Sequence, residues 1–232
     1  SGRGVRSARN QAVRNGVTVR EWNADDITAN PDKQKILKDL HREWKDANIL
    51  NISGFILATD PAAPLPFRRW FIAECDGEVE GYIVATRVGR TDRYYIEDLV
   101  YNRYTHKGVA ELLITEALNA LHKSGFRHAS LGVVLDLEGE NLRTDSSTRG
   151  ARLFFTIVSR LFPYFYNSKG QEVFRKRFKP VWEDTFLAVH TGGGRLSFTK
   201  LFSVLRSTLA SFNVRISLSL TSILFILRDF IY

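Results

Sequence analysis

The 232-residue chain has no methionine, one cysteine and only six prolines. The lone cysteine, Cys75, excludes an internal disulfide and fits a reducing compartment. Set in an apolar stretch, it reads as a packed core residue rather than a nucleophile. With Ser1-Gly2 at the start and no Met anywhere, the chain reads as a fragment of a longer polypeptide. No secretory leader is expected, because Arg3, Arg6, Arg9 and Arg14 are spread through a polar start with no apolar run behind them. The histidines have no metal spacing, and with one cysteine there is no zinc pattern. Acidic residues are outnumbered, 25 against 33 Lys and Arg, for a net charge of +8 and a pI near 9.7. That balance favours phosphate-rich partners, nucleic acid or an anionic membrane face, although an ordinary basic soluble protein has it too.

The length suits one good core with an appendage. Residues 8–14 predict a short helix stopped by Asn15-Gly16, and 17–22 a strand. A longer helix is expected over 31–48, where Ile36, Leu37, Leu40 and Trp44 form a core-facing stripe. Pro61, Pro64 and Pro66 mark a loop. Residues 70–74 and 79–88 predict a hairpin around Asp76-Gly77, 93–100 the next strand, 107–124 a central helix and 128–135 another strand. That order predicts an α/β fold with a single mixed sheet flanked by helices.

The densest functional signal is residues 172–189, EVFRKRFKPVWEDTFLAV. Arg175, Arg177 and Lys179 precede a Trp-Glu pair and an alternating apolar run, as one wall of an anion-binding site would. If the run is extended, all three cations share a face. If it is helical, Arg175 and Lys179 share one and Arg177 turns aside. A solvated basic edge is the plainer alternative.

With Phe174, Phe178, Pro180, Trp182, Glu183, Phe186 and Leu187 in their places, this run resembles the closing segment of the catalytic domain of bacterial phosphatidylglycerol lysyltransferases, the DUF2156 family. That domain is similar to the fungal enzymes that load amino acids from tRNA onto ergosterol. The stretch 7–19, SARNQAVRNGVTV, resembles the basic helix and strand that open the family's second GNAT unit. Asp98 with the following helix and, more weakly, 129–133 with Leu131-Gly132 add to the likeness. It covers roughly residues 5–190. The resemblance implies a GNAT-like fold and a domain at 1–190. It also implies transfer of an amino acid from aminoacyl-tRNA, as co-substrate, to a membrane-lipid hydroxyl, with no cofactor or metal. The implied setting is cytoplasmic and peripheral on a membrane. A first GNAT unit precedes this region in bacterial relatives, so a missing N-terminal domain is an implied partner.

Several residues are candidates for the chemistry. Asp98 ends an apolar strand beside Glu97, and alternation turns one of the two inward. An inward Asp98 accepts the hydroxyl proton or holds the substrate ammonium; otherwise it caps the strand end at Asn102. Residues 105–110, THKGVA, keep the Gly-x-Ala end of a GNAT phosphate loop but lack its first glycine. This argues against acetyl-CoA chemistry and leaves Lys107 and His106 beside a helix start able to hold a nucleic-acid phosphate. A helix start with a glycine for close packing is the alternative. Arg175 and Arg177 would hold phosphates or the oxyanion, Lys179 would reinforce the field, and Glu183 would pair with an arginine while Trp182 packs. Residues 137–150 read as a mobile loop or lid after the central strand, with Arg143 and Asp145 as substrate-binding candidates. The apolar 151–166 predicts a core or lipid-lining helix.

The chain departs from the bacterial pattern after Gly132, where Val133-Val134-Leu135-Asp136 replaces a small residue and Pro-Leu. Residues 191–232 form a second segment, basic and apolar. Its charge is +4, from Arg195, Lys200, Arg206, Arg215 and Arg228 less Asp229. The twelve residues 216–227 between the last two arginines are too few to span a bilayer, so an interfacial helix pair on an anionic membrane surface is expected, or else a packing or dimer helix. Rival readings are an acyl-CoA-dependent GNAT enzyme, transfer to a peptide amine, and a noncatalytic tRNA- or membrane-binding module.

Overall fold

A computed structural model of the chain describes residues 2–46, 60–102, 104–132, 168–183 and 197–203. The chain divides into two compact units. One comprises Ser1–Ile49, Thr59–Asp136 and Pro163–Ala188; the other comprises Leu50–Ala58, Leu137–Phe162 and Val189–Tyr232. In the second unit the described part is 197–203, helical from 198, where Phe198 stacks on Phe202 at 6.2 Å.

The first unit runs α1 (Arg3–Arg14), β1 (Thr18–Trp22), α2 (Ala24–Ala29), α3 (Pro31–Asp46), β2 (Arg68–Cys75), β3 (Glu78–Arg87), β4 (Arg93–Tyr101), α4 (Val109–Lys123), β5 (His128–Ser130) and a last helix, here α5 (Ser168–Lys176). The five strands lie in sequence order, β1 to β4 antiparallel and β5 parallel to β4. The result is a mixed sheet flanked by helices. Phe71 and Ala73 on one face join Val109, Leu112 and Leu113 of α4 and Ala12 of α1. Trp70 and Ile72, one residue out of phase, join Ile27 of α2 and Leu37 and Leu40 of α3 on the other. Each of the buried Val, Leu, Ile and Phe side chains among these contributes about 1.5–3 kcal/mol through removal of apolar area from water.

The structure extends α1 to Arg3, where the predicted helix began at Ala8. The unpredicted α2 is one short turn held by a capping box, with Asn23 and Asp26 exchanging backbone–side-chain hydrogen bonds. In α3 the buried stripe is Leu37, Leu40 and His41, while Ile36 faces solvent. His41 stays inside because its Nδ1 lies 3.1 Å from the Tyr82 hydroxyl. At the β2–β3 turn, Asp76 and Gly77 both take positive φ, the backbone that a two-residue hairpin loop demands.

Candidate functional site at the end of the β4–β5 ladder

Two irregularities in the sheet build the site. Along β3 and β4 the pairs run Ile83 with Leu99, then Ala85 with Ile96, so Glu97 and Asp98 together oppose Val84. This is a β-bulge, and it breaks the alternation expected for Glu97 and Asp98. Ile96 and Leu99, three apart, both pack on the α4 side, whereas Val100 joins the opposite core. On its other edge β4 pairs with β5 from Arg93–His128 to Tyr95–Ser130. Beyond that point β4 continues through the bulge carrying Asp98 to Tyr101 without a β5 partner among the described residues, so the described β4–β5 ladder ends just before the bulge.

A buried ion pair supports the bulge. Arg68, 4 % exposed, sends Nη2 to Glu97 Oε2 at 2.6 Å, and its Nη1 donates to the Asp60 and Ala63 carbonyls at 2.9 and 3.2 Å. Thr86 donates to the second Glu97 oxygen. One arginine therefore ties the loop at 60–63 to the bulge. Just past the end of the β4–β5 ladder, Gly132 has φ +88°, and a Cβ there would stand 3.3 Å from both an Arg175 Nη and the Tyr95 hydroxyl. A guanidinium and a phenol thus meet at the end of the ladder.

A second bulge, in β3, leaves Glu80 unpaired between Val79 and Gly81. Glu80 clamps the turn that leads into α4. Its carboxylate accepts from Thr105 Oγ1 at 2.7 Å, from the His106 amide at 3.2 Å and from the His106 ring, while the Asn102 amide donates to its backbone carbonyl at 2.8 Å. Burial alone would raise the Glu80 carboxyl; the hydrogen bonds from Thr105 and His106 outweigh it and hold the group below its ordinary range. The Cys75 thiol sits beside this clamp and is pushed up by burial and by the Asp76 and Glu80 carboxylates. Sequence spacing showed no metal pattern, yet the fold gathers Cys75, Glu80 and His106.

The helix start itself is covered by α1. Gly108 has φ +95°, and a Cβ there would overlap the Ala8 carbonyl, standing 2.6 Å from its carbon. The glycine therefore serves close packing, and α4 begins at Val109 rather than Lys107. Lys107 is exposed, and His106 is engaged by Glu80.

The closing segment is helical through Lys176 and then turns, so the extended arrangement with three cations on one face does not form. Arg175 lies in the last turn of α5. Arg177 follows the helix, and its Nη1 meets the buried Glu111 of α4 at 2.6 Å while Nη2 donates to the Gly4 carbonyl at 3.4 Å. With the Gly2 amide donating to the Arg177 carbonyl at 3.0 Å, this residue fastens α1, α4 and the closing segment together. Lys179 is exposed with φ +56°. Glu183 pairs with Arg93 at 3.9 Å, not with Arg175 or Arg177, and Trp182 is half exposed instead of packed. The helix ends too early for Arg175 and Lys179 to share a helical face. The expectations for Arg143, Asp145, Phe186, residues 137–166 and most of 191–232 lie outside the described residues, as does the Asp98 side chain. Among the described residues no helix is long and apolar enough to cross a membrane.

The end of the ladder therefore brings an arginine and a tyrosine to Gly132, with the bulge at Glu97 and Asp98 next along β4. Glu80, Arg68 and Tyr95 were missed from sequence, and Glu97 was read only as the neighbour of Asp98, because their importance comes from partners 25 to 37 residues away or from sheet irregularities with no local pattern.

No curated protein matches the sequence. Among solved structures, L-PGS from Bacillus licheniformis superposes with a TM-score of 0.54 at 19% identity, covering 78% of this chain and 52% of its own. The C-terminal DUF2156 domain of a putative lysylphosphatidylglycerol synthetase from Agrobacterium fabrum gives the same TM-score of 0.54 and the same coverages, 78% and 52%, at 14% identity. At these identities the likeness is one of fold, and this chain spans about half the length of each structure. Residues 1–189 match the family described as phosphatidylglycerol lysyltransferase, C-terminal, which takes in every element of the described sheet. The chain belongs to the phosphatidylglycerol lysyltransferase C-terminal family.

Proposed function

We propose that this chain transfers an amino acid from aminoacyl-tRNA to the hydroxyl of a membrane lipid, on a GNAT-like fold. The observation that carries the reading is the family match over residues 1–189, on a sheet whose described β4–β5 ladder ends just before a bulge at Glu97 and Asp98. The aminoacyl ester is already activated, so the chain has to position rather than energise it. The lipid hydroxyl oxygen attacks the ester carbonyl carbon, an oxyanion forms, and the ribose oxygen of the terminal adenosine leaves with a proton. In this reading Asp98 receives the hydroxyl proton or holds the amino acid's ammonium. Arg175, flanking Gly132 with Tyr95, faces the oxyanion or a terminal phosphate. Lys107 and Lys179, both exposed, extend the positive approach for tRNA, and Glu183 with Arg93 borders it.

An acyl-CoA enzyme needs open backbone N–H groups at the start of the central helix. Here the Ala8 carbonyl lies against Gly108, which supports the aminoacyl-tRNA reading instead. The departure from the bacterial pattern after Gly132 favours a sterol over phosphatidylglycerol as acceptor. The other half of the longer relatives is read as a lipid-entry domain supplied by the rest of the polypeptide, with residues 191–232 resting on anionic lipid at a cytoplasmic membrane face.

Incubation with total charged tRNA and a lipid extract, followed by mass analysis of the lipids, tests the reading. The expected product is a base-labile lipid heavier by one aminoacyl residue. Tight coenzyme A binding with acylation of an amine, and no such lipid, would replace the proposal with the acyl-CoA one.

A further inference from the structure

Three ligand-type atoms converge beside the start of α4. They are Cys75 Sγ at the end of β2, a Glu80 carboxylate oxygen in the β3 bulge and a His106 ring nitrogen in the turn, all within 4.8 Å of one another. We propose that this cluster is a zinc site, with water completing a four-coordinate shell.

The donor set selects the metal. Thiolate and imidazole together suit zinc, and a carboxylate completes a common mixed set, whereas magnesium and calcium take oxygen ligands. Tetrahedral zinc keeps its ligand atoms roughly 3–4 Å apart, so closing the cluster asks for movements of about an ångström. The hydrogen bond between His106 and Glu80 opens to admit the ion.

The surroundings are those of a site with a way in. Cys75 is buried and the Glu80 side chain is 14% exposed, while that of His106 is 42% exposed and gives entry from solvent. The second Glu80 oxygen is held by Thr105 Oγ1 at 2.7 Å and the His106 amide at 3.2 Å, which fixes the carboxylate's orientation. The Asp76 carboxylate, 3.8 Å from Sγ, adds negative charge, and the hydrogen bond that the thiol donates to the Asn15 carbonyl at 3.4 Å is given up when the metal displaces its proton. All three ligands stand on the ends of packed elements, a strand, a bulged strand and a helix-leading turn. Binding forms metal–sulfur, metal–nitrogen and metal–oxygen bonds. The thiol proton is released to water, and the ring proton moves to the imidazole nitrogen that faces away from the metal. The bound ion would pin the β2–β3 hairpin to the turn before α4, independently of the transfer reaction proposed above.

Cobalt(II) is the probe, since it replaces zinc and reports thiolate ligation as a near-ultraviolet charge-transfer absorption. Titration of the tag-free full chain should show one cobalt per chain with that absorption, its displacement by zinc, and a melting temperature raised by zinc and restored by EDTA. Cys75→Ser should abolish the absorption. Zinc affinity should fall by at least about 10-fold in both Cys75→Ser and the half-exposed His106→Gln. The charge-transfer band on the unaltered chain decides the matter even if Cys75→Ser folds poorly. No stoichiometric uptake, uptake without the thiolate band, or unchanged zinc affinity in a folded His106→Gln would overturn the site.

Discussion

Arg68 Nη2 and Glu97 Oε2 stand 2.6 Å apart, with 2% and 13% of their side chains exposed, and join the floor of β2 to the bulge beside Asp98. Removing one partner leaves a buried charge unpaired, which costs about 3–5 kcal/mol. Glu97→Ala should therefore lower the free energy of unfolding in urea by roughly that amount. The double replacement Arg68→Met with Glu97→Leu should cost less than either single change. A Glu97→Ala protein as stable as the parent would show that the pair does not anchor the bulge.

Gly108 gives a second stability test. Its φ of +95° and its contact with the Ala8 carbonyl leave no room for a Cβ. The backbone conformation alone costs a non-glycine residue about 1–3 kcal/mol. Gly108→Ala should exceed that range in urea unfolding, with α1 amides losing hydrogen-exchange protection first. Unchanged α1 protection would mean that α1 does not rest on the start of α4.

The two arginines of the closing segment should separate. Arg177 is committed to Glu111 and to the Gly4 carbonyl, so Arg177→Ala should cost about 1–3 kcal/mol of stability by leaving Glu111 unpaired. Arg175→Ala, beside Gly132 and Tyr95, should reduce tRNA-dependent transfer at least ~10-fold. Equal transfer losses with equal stabilities in the two variants would restore the paired phosphate track read from sequence.

His41 sets a pH dependence. Burial, with the nearby Lys45 charge, holds its pKa below 6.5, and Asp60 opposes this only in part. Because the folded pKa is depressed, the unfolded chain binds more protons, and stability present above pH 6.5 is lost as pH falls toward the lower folded value. The melting temperature should drop between about pH 7.5 and pH 5.5, and His41→Asn should flatten that part of the profile. A wild-type profile no steeper than the variant's would place the acid sensitivity elsewhere.

The strand order, the hairpin at Asp76-Gly77 and the central helix were legible because each carries a local pattern: period-two apolar residues, a positive-φ turn pair, a three-and-four stripe. Asp98 could be singled out at the end of an apolar strand, but the bulge under it could not, since an extra residue in a ladder shows only once the partner strand is in place. The role of Arg177 was illegible for a related reason. In sequence it equals Arg175, and only the fold brings Glu111, 66 positions earlier, to one and not the other. Glu80 carries no local signal beyond its place in the predicted strand at 79–88. The β3 bulge turns it onto the loop before α4, where Thr105 and His106 bind it.

Single-turnover transfer of a radiolabelled amino acid from charged tRNA into the organic phase, comparing the parent with Asp98→Asn in the presence of sterol and of phosphatidylglycerol, decides whether this chain aminoacylates lipid. The parent should place base-labile label in lipid, and the variant should transfer at least ~10-fold more slowly with tRNA binding nearly unchanged. Label that stays on tRNA with every lipid offered would contradict lipid aminoacylation by this chain, and a parental rate in Asp98→Asn would reduce Asp98 to a strand-end cap.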